Sequence, residues 1–192
     1  EAAAIFARLL AEKNGDTIST AANTKFADIP AHAWYSGYVK YLSNNGITYG
    51  KSKTVFAPND AITRAEFTTM AVRFFDVYGD GDAEIMEQFS GFNDVSSGYW
   101  AAEYIKYAAL HGWINGYGDG SFHADREINR AEVVTIVNRL LGREADEDYI
   151  ADNLRKLNTF PDVTKRHWAY YAVMEAANAH TAVLGESESW SK

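Results

Sequence analysis

Three blocks of one stretch decide the fold: Phe92-Asn93-Asp94-Val95 with Trp100, then Gly112-Trp113-Ile114-Asn115-Gly116-Tyr117-Gly118-Asp119-Gly120-Ser121-Phe122, then Ile128-Asn129-Arg130-Ala131-Glu132. The same blocks stand earlier in the chain as Phe26-Ala27-Asp28-Ile29, Trp34, Gly46, Phe56 and Ile62-Thr63-Arg64-Ala65-Glu66. They return later as Phe160-Pro161-Asp162-Val163, Trp168 and Trp190, with His180 at the glycine position. Asp to Trp is six residues in all three copies, and Trp to Gly or His is twelve. Successive units are offset by 66 and then 68 residues. Repetition at a fixed period is the mark of supersecondary units that bury their apolar faces on one another.

Each unit reads as two helices. Thr63 with Glu66, and Asn129 with Glu132, are capping boxes: the cap side chain accepts the N3 amide while the glutamate reaches back to the cap amide. Behind them, Phe67, Met70, Ala71 and Phe74 recur with a 3.6-residue period, as do Val133, Ile136, Val137 and Leu140. A shorter helix precedes each, over 32–44, 99–111 and 167–179, with Val39, Ile105 and Val173 on the face of the preceding Trp. Gly46, Gly112 and Gly142 suit left-handed positions after helix ends, and Gly79 follows the first long helix. The connector around Glu144–Asp148 carries an apolar rhythm at Tyr149, Ile150 and Leu154, which predicts an extra short helix.

The N-terminus falls in the same register. Glu1, Ile5 and Arg8 match Glu66, Met70 and Arg73, so residues 1–13 read as the second helix of a repeat whose front lies elsewhere. The expected organisation is a second-helix segment at 1–13, repeats at 24–78 and 90–142, and a partial repeat at 158–192. The N-terminal helix is then expected to fill the place left open by the third unit. The fold class is all-α: three helical repeats in a pseudo-threefold body around a central three-helix bundle.

Composition sets the functional bounds. The 192 residues are 47% hydrophobic, enough to bury a core, and twelve Tyr, ten Phe and five Trp argue against disorder. A net charge of -8 offers no dominant basic face, so nucleic acid is not an expected partner. Without cysteine there is no disulfide, thiolate metal site or cysteine nucleophile. No apolar run spans a bilayer, so no transmembrane segment is expected, and the start has none of the parts of a signal peptide. The histidines lack metal-ligand spacing, and Asp76, Asp80 and Asp82 do not complete a calcium loop, so neither metal nor cofactor is expected.

These motifs resemble the S-layer homology domains of bacterial surface proteins. The family pattern is Phe-x-Asp-Val, a Trp on the first helix, a glycine-rich turn closed by Phe, and Ile-Thr-Arg-Ala-Glu before a second helix. The resemblance covers nearly the whole chain. It implies three tandem modules in a pseudo-trimer, secreted to the cell wall or surface layer. It further implies binding of a secondary cell wall polysaccharide, acidic or pyruvylated, or of a peptidoglycan-linked glycan. Other surface-layer subunits are a further class of partner. The motif arginine is implicated in binding, which by position falls to Arg64 and Arg130. Departures are the first loop, Tyr49 to Phe56, which lacks the Asp-Gly turn, Asn129 in place of Thr, and Asp125 where Pro is usual. The third unit has no arginine motif within the chain.

Each candidate has two readings. Arg64 and Arg130 are either surface residues beside a cap or bidentate donors to a sugar carboxylate, helped by first-turn amides. Trp34 and Trp100, like Trp168, are either core plugs or platforms for pyranose faces. Lys40 and Lys106 are solvated, or add positive potential. Gly116 and Gly118 let a ligand approach the backbone. Glu66 and Glu132 read as caps rather than catalytic acids, and Asp28, Asp94 and Asp162 as turn formers. No catalytic constellation is present, and the chain reads as a noncatalytic anchoring module. The alternative is a structural or protein-interaction scaffold that binds no glycan.

Overall fold

The computed structural model describes residues 1–78, 89–183 and 189–191. Gly79, Asp80 and Asp82 lie outside the described residues. Seven helices carry the described chain: α1 (Ala2–Asn14), α2 (Ser36–Asn44), α3 (Arg64–Tyr78), α4 (Ala102–Leu110), α5 (Arg130–Leu140), α6 (Glu147–Asn153) and α7 (Tyr170–Ala177). The fold is all-α, with one departure. Thr181–Val183 (β1) and Ser189–Ser191 (β2) pair as a small antiparallel hairpin in the third unit. The short α6 is the extra helix expected in the connector; Asp146 caps it by accepting the Tyr149 amide at 2.8 Å.

Both capping boxes form. Glu66 N donates to Thr63 Oγ1 at 3.2 Å and Thr63 N to Glu66 Oε2 at 3.0 Å. The Asn129–Glu132 box has both bonds at 3.0 Å. Gly46, Gly112 and Gly142 have φ of 75°, 68° and 63°, the left-handed turns that release the chain from α2, α4 and α5.

The long helices meet through their periodic apolar faces. α1 packs on α2 and α3, and α3 on α4 and α5. Phe6 lies fully buried, with ring centroids 5.3 Å from Phe67 and 4.9 Å from Phe74. One continuous core runs from these rings through Leu42, Ile105 and Phe122 to Ile136 and Leu140. Ile150, Tyr170, Met174 and Trp190 form a separate, smaller core under the third unit.

The Phe-x-Asp opening locks the loop between the two helices of its unit. The Asp28 carboxylate accepts the amides of Phe56 and Ala57 (2.9 and 2.6 Å), and Asp94 those of Phe122 and His123 (both 2.7 Å). Ala57 and His123 are held at φ of 60° and 55°, an arrangement unfavourable for residues with a Cβ. The opening Phe92 stacks on Phe122 at 5.1 Å, and Phe26 meets Phe56 at 5.4 Å. Burial pushes Asp28 and Asp94 towards the neutral acid, but the donated amides outweigh it and leave both below the ordinary carboxylate value. The third unit is built differently. The Trp190 amide goes to Asp146 at 3.0 Å, Asp162 and Phe160 are exposed, and Trp190 stacks on His180 at 4.0 Å.

Candidate binding grooves between repeats

Among the described residues, two grooves lie where the second helix and glycine-bearing loop of one unit meet the Trp just before the first helix of the next. One, about 680 Å³, is lined by Asn115, Gly116, Tyr117, His123, Arg126 and α5 residues Glu132, Thr135, Ile136 and Arg139, with Trp168 at its lip. The other, about 590 Å³, is lined by the corresponding Tyr49, Gly50, Lys51, Ala57, Asp60, Glu66, Thr69, Met70 and Arg73, with Trp100 at its lip. They are called here the Trp168 groove and the Trp100 groove.

The tryptophans are not core plugs. Trp34, Trp100 and Trp168 are 56%, 57% and 64% exposed, each offering a ring at the surface. The short helices begin later than expected, at Ser36, Ala102 and Tyr170, so each Trp lies in the turn two residues before its helix, and the core positions on α2 and α4 are taken by residues such as Val39, Leu42 and Ile105. Burying a ring this large offers more than leaving it in water, so an exposed Trp at the lip of a groove is a candidate contact. Trp34 lines neither groove.

Arg64 is not a surface residue. It is 5% exposed and sits against the floor of the Trp168 groove. Its Nε donates to Phe122 O (2.9 Å), Nη1 to Glu132 Oε1 (3.0 Å) and Nη2 to Asn115 O (3.3 Å), while the guanidinium lies 4.4 Å from the Phe122 ring centre. Burial lowers its pKa and the Glu132 carboxylate opposes that shift. The first-turn amides of α3 are equally occupied: Arg64 N donates to Arg126 O and Ala65 N to Ala124 O, both at 2.9 Å. The expected free amides at this helix start are therefore consumed by the neighbouring repeat. Arg130, in the same motif, is far more open. Its guanidinium meets Glu1 at 3.1 Å, with side chains 88% and 73% exposed.

Gly116 lines the Trp168 groove, but its missing side chain serves packing. A Cβ there would lie 2.4 Å from a Phe92 ring carbon and 2.6 Å from Ser121 O. Gly118 faces open space and lines neither groove, and Lys40 and Lys106 are exposed outside both.

The structure brings forward two residues that the motif reading missed, Arg126 and Arg139. Arg126 pairs with Glu132 and remains 40% exposed. Arg139 corresponds to Arg73, which donates to Tyr104 Oη (3.3 and 3.2 Å) and lies over the Tyr49 and Tyr104 rings. At the positions of those two tyrosines the next repeat has Asn115 and Ala172, so Arg139 has no aromatic cradle. The Asn115 amide, with its nitrogen towards Ile114 O, presents its oxygen to Arg139 Nη1 at 3.2 Å. Burial lowers the Arg139 pKa, and among the described residues no carboxylate pairs with it. The signal was available as a mismatch between otherwise equivalent repeat positions.

Three arginines, His123 and one carboxylate, Glu132, thus line the Trp168 groove, and two of those arginines, Arg64 and Arg126, pair with Glu132. Among the described residues no cluster of His, Asp or Glu has the spacing of a metal site, and no helix is long and apolar enough to cross a membrane.

Comparison with known proteins follows the repeats. The family model of the S-layer homology domain matches residues 25–68 and 91–134. The chain is 32% identical over 98% of its length to cell surface glycoprotein 1 of Acetivibrio thermocellus, and 30% identical over 97% to the cellulosome-anchoring protein of the same organism. It is 32% identical over 75% of its length to an amylopullulanase of Thermoanaerobacterium thermosulfurigenes. It spans 8%, 40% and 7% of those three proteins respectively, less than half of each. Similarity to a small part of an enzyme and to similar parts of anchoring and surface proteins is the distribution of a module. Sequence motifs, helix pairs and family match agree: the chain belongs to the S-layer homology domain family.

Proposed function

We propose that this chain is a noncatalytic cell-surface anchoring module that holds an acidic secondary cell wall polysaccharide in the Trp168 groove. Surface location and anchoring are the roles that family membership and the named relatives support. The observation that carries the acidic specificity is Arg139, a solvent-reaching cation with no carboxylate partner among the described residues, lining the same groove as Arg126 and an exposed Trp168. An acidic sugar, pyruvylated or uronic, meets a bidentate donor there while its apolar face stacks on the indole. Arg64 acts from below: it orients Glu132 and adds positive potential without leaving its own partners. Arg130, Trp34, Lys40 and Lys106 are at most contacts of the outer polymer.

The architecture belongs to the same proposal. α1, α3 and α5 are read as the centre of a pseudo-threefold body, with α1 serving as the second helix of the third unit. In support, Arg130 reaches Glu1 as Arg64 reaches Glu132, from each motif arginine to the capping-box position of the next unit.

The test is calorimetry of the intact chain with purified wall polymer, and pull-down with cell walls before and after removal of that polymer. Arg126→Ala and Arg139→Ala should each weaken binding at least tenfold with an unchanged fold, since both side chains reach solvent. Full affinity in the folded double variant would refute glycan binding at this site and leave the scaffold reading.

A further inference from the structure

One arginine recurs at the same register on each long helix: Arg8 on α1, Arg73 on α3 and Arg139 on α5. The helix packed against each carries, four places after its Trp, Tyr38, Tyr104 and Ala172 in turn. We propose that this residue selects the groove that takes the acidic glycan. A tyrosine there occupies the arginine and closes the groove to an anion, whereas the alanine leaves the arginine to the ligand. The inference rests on the proposed function, and it adds the residue that confines the acidic glycan to the Trp168 groove.

The two tyrosines engage their arginines in the same way. Tyr38 Oη accepts from Arg8 Nε and Nη2 at 3.3 and 3.1 Å, and Tyr104 Oη from Arg73 Nε and Nη2 at 3.3 and 3.2 Å. The guanidinium carbons lie 5.1 and 4.9 Å from the two ring centres. The Nε–Nη2 edge is a bidentate edge of a guanidinium towards a carboxylate, so the phenol oxygen stands where an anion would bond. In the Trp100 groove Tyr49 adds a second ring, 4.7 Å from Arg73, and Lys51 is paired with Glu66. An anion entering there has to displace the phenol from Arg73.

Arg139 is open on that edge. The backbone of the following unit is in place, with α7 packed on α5 and Asn138 Nδ2 donating to Ala172 O at 2.9 Å. A methyl group stands where the phenol would start. Asn115 takes Nη1, at 3.2 Å, and among the described residues no partner meets Nε or Nη2. Arg139 is exposed where Arg73 is half-buried, and it lines the Trp168 groove as Arg73 lines the Trp100 groove. An anion at Arg73 gives up existing protein bonds before it makes its own, and an anion at Arg139 does not.

The test uses the whole chain labelled with 5-fluorotryptophan, with the Trp100 and Trp168 resonances assigned by Trp100→Phe and Trp168→Phe. The probe is a galacturonic acid oligomer, its affinity is read by calorimetry, and circular dichroism checks the fold of every variant. In the wild type the oligomer should shift Trp168 and leave Trp100 in place. Ala172→Tyr should weaken binding at least fivefold, and Ala172→Phe, which adds the ring without the hydroxyl, less than twofold. Tyr104→Phe should bring Trp100 into the titration and leave the Trp168 response unchanged; it decides alone where Ala172→Tyr fails to fold. Full affinity in folded Ala172→Tyr overturns the inference. Equal losses for Ala172→Tyr and Ala172→Phe overturn it as well, since they mean a blocked groove rather than an occupied arginine. So does Trp100 responding in the wild type as strongly as Trp168, or staying silent in Tyr104→Phe. Any of these with Trp168 responsive in the wild type sinks this inference alone. An oligomer that moves neither resonance in the wild type sinks the acidic-glycan reading and this inference with it.

Discussion

Arg64 and Arg130 occupy the same place in the same five-residue motif, and the structure predicts opposite responses to the same substitution. Arg64→Ala removes a guanidinium whose side chain is 6% exposed from a carboxylate whose side chain is 10% exposed. It also leaves Phe122 O and Asn115 O without their donor. Breaking a buried ion pair on one side costs about 3–5 kcal/mol. Glu132 keeps Arg126, the Tyr117 hydroxyl and the Asn129 amide, so the lower end, about 3 kcal/mol, is the expected loss. In a chain of this size that is roughly a 6–12 °C fall in Tm. Arg130→Ala breaks an ion pair between two highly exposed side chains and should cost less than about 1 kcal/mol. Urea unfolding followed by far-ultraviolet circular dichroism, with thermal melts alongside, measures both variants. Equal losses, or a smaller loss for Arg64→Ala, would refute the assignment of Arg64 as the buried link between repeats.

Thr63→Ala and Asn129→Ala should each destabilise by about 1 kcal/mol in the same unfolding assay, as lost N-caps do. Asp28 and Asp94 have lowered folded-state pKa values, so their stabilisation is fully present above the unfolded carboxylate value near pH 4 and is lost as pH falls through the folded one. Asp94→Asn should therefore flatten the acid limb of stability against pH, measured by urea midpoints from neutral to strongly acidic buffer. Gly116→Ala should cost about 1–3 kcal/mol because the added methyl meets the Phe92 ring and Ser121 O, whereas Gly118→Ala meets nothing and should be close to neutral on thermal melting.

Local chemistry was legible in the sequence because it acts over three or four residues. The Thr63 and Asn129 boxes, the turns at Gly46 and Gly112 and the short helix behind Asp146 all follow from neighbours along the chain. The motif Phe-x-Asp was visible as a recurrence, but its work was not. Asp94 bonds amides 28 and 29 residues away, a link no local pattern encodes. Arg64 was hidden for a related reason. Its partners are Asn115, Phe122 and Glu132 in the next repeat, so burial depends on how repeats dock, while the motif itself is identical in outline for an arginine that stays in water. The tryptophans carried the reverse ambiguity. A large ring in the register of an amphipathic helix fits either the core or a platform, and the matter is resolved by the helices starting two residues later, with Val39 and Ile105 taking the core positions.

Repeats make differences more informative than agreements, and the two grooves show why. Shared residues build the scaffold: the aspartate that holds the loop, the glycine that admits the opening phenylalanine, the capping glutamate and the lip tryptophan. Whatever distinguishes the grooves must come from positions where register is kept and chemistry is not. Tyr104 against Ala172 and Tyr49 against Asn115 decide whether the arginine at position 73 or 139 is cradled or open. Asp60 against Arg126 changes the charge carried at that register position. Each of these pairs lies outside the motif that identifies the family, and none disturbs the helix caps or the core. Recognition can therefore diverge between repeats while the fold is held constant, because the residues that fix the backbone and the residues that set groove charge are different residues.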